Sequence, residues 1–223
     1  MSAPKFTYVV EHMEEDESEH AASSAAVHQS PTRSAPQHML TLAGKDAAVR
    51  FTNLSLASRD RLAASLSDAT SLAELGAHTE GVLALMKANN VPLESVCLLD
   101  PKAEKELSPE DGDGRFQMFL FGGILGDDPP RDRTSELRRL GFPNRHLGSV
   151  QMTTDTALGV TKLVVHDKVP LQEIPYVDFP TIVFNAKESV EMPFRYIVRD
   201  GGPLLPPGMR EHLKKDLDRG FDF

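Results

Sequence analysis

Cysteine is almost absent from this sequence, and its near-absence restricts the chemistry available to the chain. Cys97 is the single cysteine, and it lies inside the apolar run VCLLD. One thiol can form neither an internal disulfide nor a cysteine-based zinc site. We therefore interpret Cys97 as a buried strand residue in a protein of a reducing compartment.

The sequence also lacks a long apolar run. No run approaches the roughly 20 residues that a membrane-spanning helix requires. The first residues turn acidic quickly and contain no secretory apolar region. We expect a soluble, cytoplasmic protein with no membrane partner.

Positive charge is in deficit, because the formal net charge is −9 and the sequence pI is about 5.4. A protein that grips nucleic acid through its phosphates usually presents a basic surface, so we expect no direct nucleic-acid partner. The charge favours a basic protein rich in Arg and Lys instead.

The common catalytic and metal-binding signatures are missing as well. Neither G-x-G-x-x-G nor the Walker pattern is present, and G-x-S-x-G, C-x-x-C and the kinase motifs are absent too. The acidic run at 11–20 contains no H-E-x-x-H motif, and DGDG at 111–114 lacks the later ligands of an EF-hand. The sequence predicts no metal site.

Short apolar segments alternate with helical patterns along most of the chain, which predicts one α/β domain over residues 1–223 with a parallel sheet. The Ala/Ser/Pro-rich stretch 17–37 has no periodicity and is interpreted as a disordered insertion. The strands are expected at 6–13, 47–55, 95–100 and 116–123, with extended segments at 175–185 and 192–198 and a brief strand or turn at 145–150. The helices are expected at 60–90 (broken near Gly76), 131–140, 153–167 and 205–220.

Three short segments stand out against this background. The strand FLFGG at 119–123 runs into ILGDD, and its glycines indicate either a structural turn or a close approach of backbone to a ligand. The segment MTTDTA at 152–157 fits either a helix cap or a ligand loop. The segment EMPFRYIV at 191–198, taken alone, indicates packing.

These segments, together with YVVEHMEE, VCLLDPKA and ELSPED in the same order, resemble a fungal family of SPOUT-class protein arginine N-methyltransferases. The resemblance covers residues 6–16 and most of 91–215. It implies a parallel sheet with helices on both faces and a C-terminal trefoil knot. It also implies S-adenosylmethionine as methyl donor, a small-subunit ribosomal protein as substrate, and a monomer.

The resemblance further implies that backbone groups and apolar walls of the knot loops hold the cofactor. Three segments are expected to meet around it, namely the loops at 122–127 and 146–157 and the residues near VDFPTIVFN at 177–185. The individual contact residues are expected in the two loops. They are Gly123, Leu125, Gly126, Leu147, Gly148, Met152 and Thr153.

Transfer of a methyl group to arginine requires carboxylates, because the guanidinium is protonated at neutral pH and must be oriented and then deprotonated. Asp127, Glu11 and Glu191 are the first candidates for this catalytic role, and which of them acts as the base stays open. The further candidates at loop positions are Glu14, Asp128 and Asp155.

The chain departs from the family pattern after its first strand. Family members continue with a helix that carries a tryptophan, whereas this chain has no tryptophan and has the stretch 17–37 instead. We expect the covering helix to be replaced or shortened, which would expose apolar surface. Two alternative functions are an RNA methyltransferase and a non-catalytic protein that binds the cofactor or the ribosome.

Overall fold

A computed structural model describes residues 6–12, 34–65, 72–123 and 134–219 of the chain. Its centre is a six-stranded sheet with the order β3-β2-β1-β5-β4-β6, in which every described pair of neighbouring strands is parallel. The strands of this sheet are β1 (Phe6–His12), β2 (Ala47–Thr52), β3 (Glu74–Ala77), β4 (Val96–Leu99), β5 (Met118–Gly123) and β6 (Asn144–Arg145). The predicted parallel α/β sheet is confirmed.

Alternate side chains of these strands enter two different cores, which is why the strands read as continuous apolar runs. Tyr8 and Val10 belong to the larger of these two buried clusters, whereas Val9 belongs to the smaller one. Cys97 is fully buried in β4, as expected for a strand thiol.

Helices cover both faces of the sheet. Helix α1 (Ser34–Ala43) and helix α5 (Thr154–Val165) pack on the larger cluster, and α3 (Val82–Ala88) and α4 (Ser135–Arg139) pack on the smaller one. Helix α2 (Leu56–Ser65) precedes β3. The expectation of helices on both faces is confirmed.

Helix α1 changes the interpretation of the segment 17–37. Its first turn comprises residues 34–37, and its buried Met39 and Leu40 cover the sheet face that we expected to be exposed. The end of the proposed insertion was therefore placed too late, and residues 17–33 lie outside the described residues.

The predicted helix at 60–90 is wrong in its middle. Residues 74–77 form the edge strand β3, which pairs in parallel with β2. The space at Gly76 is filled by the Arg50 side chain, because a Cβ there would lie 2.3 Å from Arg50 Cδ. This pairing is tertiary, and the helical spacing of the flanking segments concealed it.

The C-terminal part builds a smaller antiparallel layer on a third buried cluster. Its strands are β7 (Tyr176–Asp178), β8 (Thr181–Asn185), β9 (Glu188–Glu191), β10 (Arg195–Arg199) and β11 (Gly202–Pro203), and helix α6 (Met209–Arg219) follows. The β8–β9 hairpin lies between β7 and β10 in sequence, whereas β7 and β10 pair with each other. The extended segments predicted here are confirmed.

Helix α5 runs back against the connection between β4 and β5. A Cβ at Gly112 in that connection would lie 1.9 Å from the Val165 carbonyl oxygen, and Lys168 Nζ donates hydrogen bonds to the Pro109 and Gly112 carbonyls. This packing and the strand order are consistent with a trefoil knot, which stays a prediction.

Candidate functional site

The carboxyl ends of the parallel strands lie at one edge of the sheet, and this edge is where ligands bind in open α/β folds. Glu11, Thr52, Asp100 and Gly123 stand at the ends of β1, β2, β4 and β5. The loop 146–153 leaves the same edge after β6 and leads into α5.

Gly123, the first predicted cofactor residue, is buried where β5 lies against β1. A Cβ at this position would lie 2.3 Å from Val10 Cγ1 and 3.2 Å from the Glu11 carbonyl oxygen. Packing alone therefore requires a glycine here. Leu125, Gly126 and Asp127 fall within 124–133, outside the described residues.

The other four predicted cofactor residues lie on the loop 146–153. Gly148 has φ +99°, and its backbone N–H donates a hydrogen bond to Nδ1 of His146 at 3.1 Å. Leu147 and Met152 are half-buried and pack against the larger core cluster. Thr153 is the N-cap of α5, but its hydroxyl donates to the Thr156 hydroxyl at 2.9 Å and caps no backbone N–H.

Arg195 ties this loop to the C-terminal layer. Its backbone N–H donates to the Gln151 carbonyl at 2.9 Å, and its guanidinium makes two hydrogen bonds to Asp178 at 2.6 and 2.8 Å. The guanidinium carbon lies 4.8 Å from the centre of the Tyr176 ring. A Cβ at Gly148 would lie 3.8 Å from Arg195 Nη1, so the cation borders the bare backbone of that glycine.

The contacts and the burial of this cluster shift the pKa values of Asp178 and Tyr176. The hydrogen bond from Arg195 lowers the pKa of Asp178, so the pair stays charged at neutral pH. Burial raises the pKa of Tyr176 to about 12, although the Arg195 charge opposes the shift. The Tyr176 hydroxyl is buried and has no hydrogen-bond partner among the described residues.

Glu11 is buried at the end of β1, with 8% of its surface exposed. Its Oε2 accepts a hydrogen bond from the Thr52 hydroxyl and another, at 2.9 Å, from the Val82 backbone N–H. Burial raises the pKa of Glu11, and these two hydrogen bonds oppose the shift only in part. The carboxylate thus joins β1 and β2 to the start of α3.

Asp100 stands at the end of β4 in a buried ion pair that sequence reasoning missed. Its carboxylate accepts hydrogen bonds from Arg138 at 2.5 and 2.7 Å and from the Lys102 backbone N–H at 2.9 Å. Burial tends to raise the pKa of Asp100, but the hydrogen bonds from Arg138 and Lys102 outweigh it and lower the pKa. The position of Asp100 directly after a buried strand was the available signal.

Glu191 is an exposed residue at the end of β9, paired with Thr181 across the hairpin. Asp155 is buried in the first turn of α5, with its Oδ2 3.9 Å from Nε2 of His38. Glu14 and Asp128, like Asp127, lie outside the described residues.

Within the ranges that the structure describes, no three His, Cys, Asp or Glu side chains come together in a group that could hold a metal ion. In those same ranges, no helix has both the length and the apolar character needed to cross a membrane.

Comparison with known proteins places the chain in a family. A model of the SFM1-like protein arginine N-methyltransferases matches residues 7–220. Protein arginine N-methyltransferase SFM1 of Saccharomyces cerevisiae (strain ATCC 204508 / S288c) is 49% identical over 132 residues, which are 57% of this chain and 61% of the yeast protein. That alignment thus spans about three fifths of the relative's length.

Solved structures give the same result over a longer span. The crystal structure of the yeast arginine methyltransferase SFM1 complexed with SAM has a TM-score of 0.72 and 34% identity, covering 95% of this chain and 91% of that one. The structure of the yeast enzyme with SAH has a TM-score of 0.71 and 32% identity, covering 93% of this chain and 94% of that one. The structure with MTA has a TM-score of 0.70 and 31% identity, covering 92% of this chain and 98% of that one.

A dual-specific Trm10 protein from Thermococcus kodakaraensis shares the fold alone. Its TM-score is 0.51 at 17% identity, over 75% of this chain and 96% of that one. The parallel sheet and these likenesses confirm the expected α/β fold of SPOUT type, and its trefoil knot stays a prediction. The chain belongs to the SFM1-like family of protein arginine N-methyltransferases.

Proposed function

We propose that this protein transfers a methyl group from S-adenosylmethionine to an arginine of a basic protein, specifically a small-subunit ribosomal protein. The observation that carries the proposal is the loop 146–153, which a hydrogen bond from Arg195 holds at the carboxyl edge of the sheet. Gly148 in this loop has no side chain, so a ligand can approach its backbone. The family match across residues 7–220 includes this loop.

The residues of this loop fit a nucleoside-bearing cofactor. Gly148 at φ +99° allows close approach of a ligand to the backbone, and the half-buried Leu147 and Met152 offer apolar surface. The buried Tyr176 hydroxyl lacks a partner among the described residues and is a ready donor or acceptor. We propose that these groups hold the cofactor with Gly123, Leu125, Gly126 and Thr153.

When bound, S-adenosylmethionine supplies an electrophilic methyl group on a sulfonium. The chain has to hold the target guanidinium in line with that group, because positioning supplies much of the rate. We propose Asp127 and Glu191 as the carboxylates that bind the guanidinium, one of which accepts the proton that the nitrogen loses. Glu11 takes a positioning role in this proposal, because its carboxylate already holds the ends of β1, β2 and α3 together.

The proposed substrate follows from charge as well as from family. A net charge of −9 attracts a basic protein and repels the phosphates of RNA. The proposal therefore includes no direct nucleic-acid partner. It describes a monomeric enzyme that acts in the cytoplasm, where ribosomal proteins are made.

The test combines binding and turnover. Calorimetric titration with S-adenosylhomocysteine should give one site per chain, and Gly148→Val should abolish it, because a β-branched residue is strained at this positive φ. Circular dichroism checks that the variant folds. Small ribosomal subunits are then incubated with the enzyme and methyl-labelled S-adenosylmethionine.

Label in protein arginine supports the proposal. Label in ribosomal RNA would instead indicate an RNA methyltransferase. Binding of S-adenosylhomocysteine without transfer to any ribosomal fraction would indicate a non-catalytic cofactor-binding protein.

A further inference from the structure

We propose that Phe179 and Glu191 form the receptor for the target arginine side chain, with the guanidinium stacked on the Phe179 ring and bound by the Glu191 carboxylate. This inference rests on the proposed function and deepens it by adding an aromatic residue that the sequence did not single out.

The backbone at Phe179 is strained. Its φ is +50°, and the other described non-glycine residues at positive φ are two asparagines, a lysine and an aspartate. A large aromatic residue is a true outlier in this region, and such strain concentrates at functional sites. The Phe179 N–H donates to the Phe194 carbonyl at 3.1 Å, which fixes the conformation.

Phe179 is also exposed. Half of the Phe179 surface is open to solvent (50%), although most of the large apolar side chains that the structure describes are buried. Among the described residues, the cation–ring contacts involve Phe116, Tyr176 and Phe184, and none of them involves Phe179. The ring is therefore available to a cation from another molecule.

The hairpin register pairs Glu191 with the residue two positions after Phe179. Glu191 pairs with Thr181, and the Met192 N–H donates to the Pro180 carbonyl at 2.9 Å. Ile182 and Met192 point into the third core cluster, so the exposed residues Thr181 and Glu191 lie on the outer face. An aromatic ring and a carboxylate thus stand at the exposed base of one hairpin.

This base adjoins the proposed cofactor loop through two consecutive residues. Phe194 accepts the hydrogen bond from Phe179, and the next residue, Arg195, donates to Gln151 of the loop. Asp178 is nearer to the loop, but Arg195 already occupies both of its oxygens, which leaves Glu191 as the exposed carboxylate at the hairpin base.

The pair matches arginine better than lysine. A guanidinium stacks on an aromatic face and binds a carboxylate with two parallel hydrogen bonds, whereas an ammonium is a compact point charge. The net charge of −9 complements a basic segment around the target. The occupant is therefore an arginine side chain of a basic protein.

The decisive variant is Phe179→Asn, because asparagine adopts this backbone region with little strain but removes the ring. Methyl transfer to acid-extracted small-subunit ribosomal proteins should show a KM raised about tenfold, equivalent to the loss of one cation–ring contact. The Kd for S-adenosylhomocysteine should stay within about twofold, and the thermal midpoint should not fall, because relief of strain offsets the lost ring contacts.

Phe179→Trp should keep the wild-type KM, since it preserves the aromatic face. Glu191→Gln should raise KM in the same way as Phe179→Asn. Leu83→Gln is the matched control, because Leu83 is equally exposed (49%) on α3 and should leave KM unchanged.

An unchanged KM in Phe179→Asn would overturn the inference, and so would a fall in thermal midpoint with KM and Kd impaired together. An equal rise of KM in Leu83→Gln would overturn it too. So would ultracentrifugation that finds the wild type dimeric and Phe179→Asn monomeric, because the exposed ring would then join two copies of the chain. Failure of the proposed function looks different, because the wild type itself would then transfer no methyl group to protein.

Discussion

Arg195 shows how much depends on single side chains in this protein. It lies in the segment EMPFRYIV, which by sequence alone indicates ordinary packing. In the structure it joins Asp178, Tyr176 and the loop 146–153 through charge-assisted hydrogen bonds, a ring contact and its backbone. Its geometry therefore sets where the proposed cofactor loop lies.

Arg195→Lys tests this positioning role. Lysine cannot make the two parallel hydrogen bonds to Asp178, so the loop should be held less firmly. We expect the Kd for S-adenosylhomocysteine to rise about five- to thirtyfold, the effect of losing about 1 to 2 kcal/mol. Calorimetric titration measures it.

The matched control is Arg115→Lys. Arg115 also binds an aspartate, Asp113, with two nitrogens, but the pair is exposed and has no contact with the loop. Equal Kd values for the two variants would refute the positioning role of Arg195.

Glu11 provides a prediction that depends on pH. Because its pKa is raised in the folded protein, the unfolded chain loses the Glu11 proton first as pH rises from its ordinary value of 4.5. The free energy of unfolding therefore falls with pH in that window. Glu11→Gln keeps acceptors for Thr52 and Val82 but cannot ionise, so its stability advantage over wild type should grow from pH 4.5 upward.

Urea unfolding of both proteins between pH 4 and pH 8 checks this prediction. A stability difference that does not change with pH would show that the pKa of Glu11 is not raised in the folded state.

The short helix α4 is attached to the sheet through an ion pair and one buried side chain. It has five residues, which is too short to be stable in isolation. Arg138 of α4 binds Asp100 at the end of β4, and Leu137 enters the smaller core cluster. These contacts hold α4 against the end of β4 and the smaller core cluster.

Asp100→Asn should weaken this attachment. The Asp100 side chain is fully buried and that of Arg138 is only 27% exposed, so removal of the negative charge leaves a largely desolvated cation. We expect a loss of about 2 to 4 kcal/mol in the free energy of unfolding, together with faster amide exchange in α4.

Asp113→Asn is the control for that variant. It breaks an ion pair of the same type whose partners are both about half exposed, and solvent screens such pairs. Its urea midpoint should match wild type. A similar midpoint for Asp100→Asn would contradict the anchoring role of the Asp100–Arg138 pair.

The net charge of −9 belongs to no single element, and its effect is on association. If the substrate is a basic protein, its encounter with the enzyme should be accelerated at low salt and screened at high salt. We expect kcat/KM for acid-extracted small-subunit ribosomal proteins to fall about three- to tenfold between 50 and 300 mM salt, with kcat nearly constant.

The Kd for S-adenosylhomocysteine, which carries no net charge, should change little over the same range. If kcat/KM for protein does not depend on salt, long-range attraction has no part in substrate capture.

Local sequence patterns were sufficient for the parallel α/β class and for most of its strands and helices, whereas the two loops of the proposed site were inferred from the family resemblance and stay a prediction. Each of these depends on short-range information, namely apolar runs such as VCLLD and glycine turns such as FLFGG. The family resemblance is also carried by contiguous letters. The fold class could therefore be predicted without coordinates.

The contacts within the site depend on how distant segments pack together. Glu11 meets Thr52 and Val82, 41 and 71 residues away, and Asp100 meets Arg138, 38 residues away. Arg195 likewise contacts Asp178 and lies beside Gly148 of the loop 146–153. The strand β3 forms because β2 lies beside it. No periodicity encodes such pairs, because they form only when the folded chain brings the ends of separate strands to one edge of the sheet.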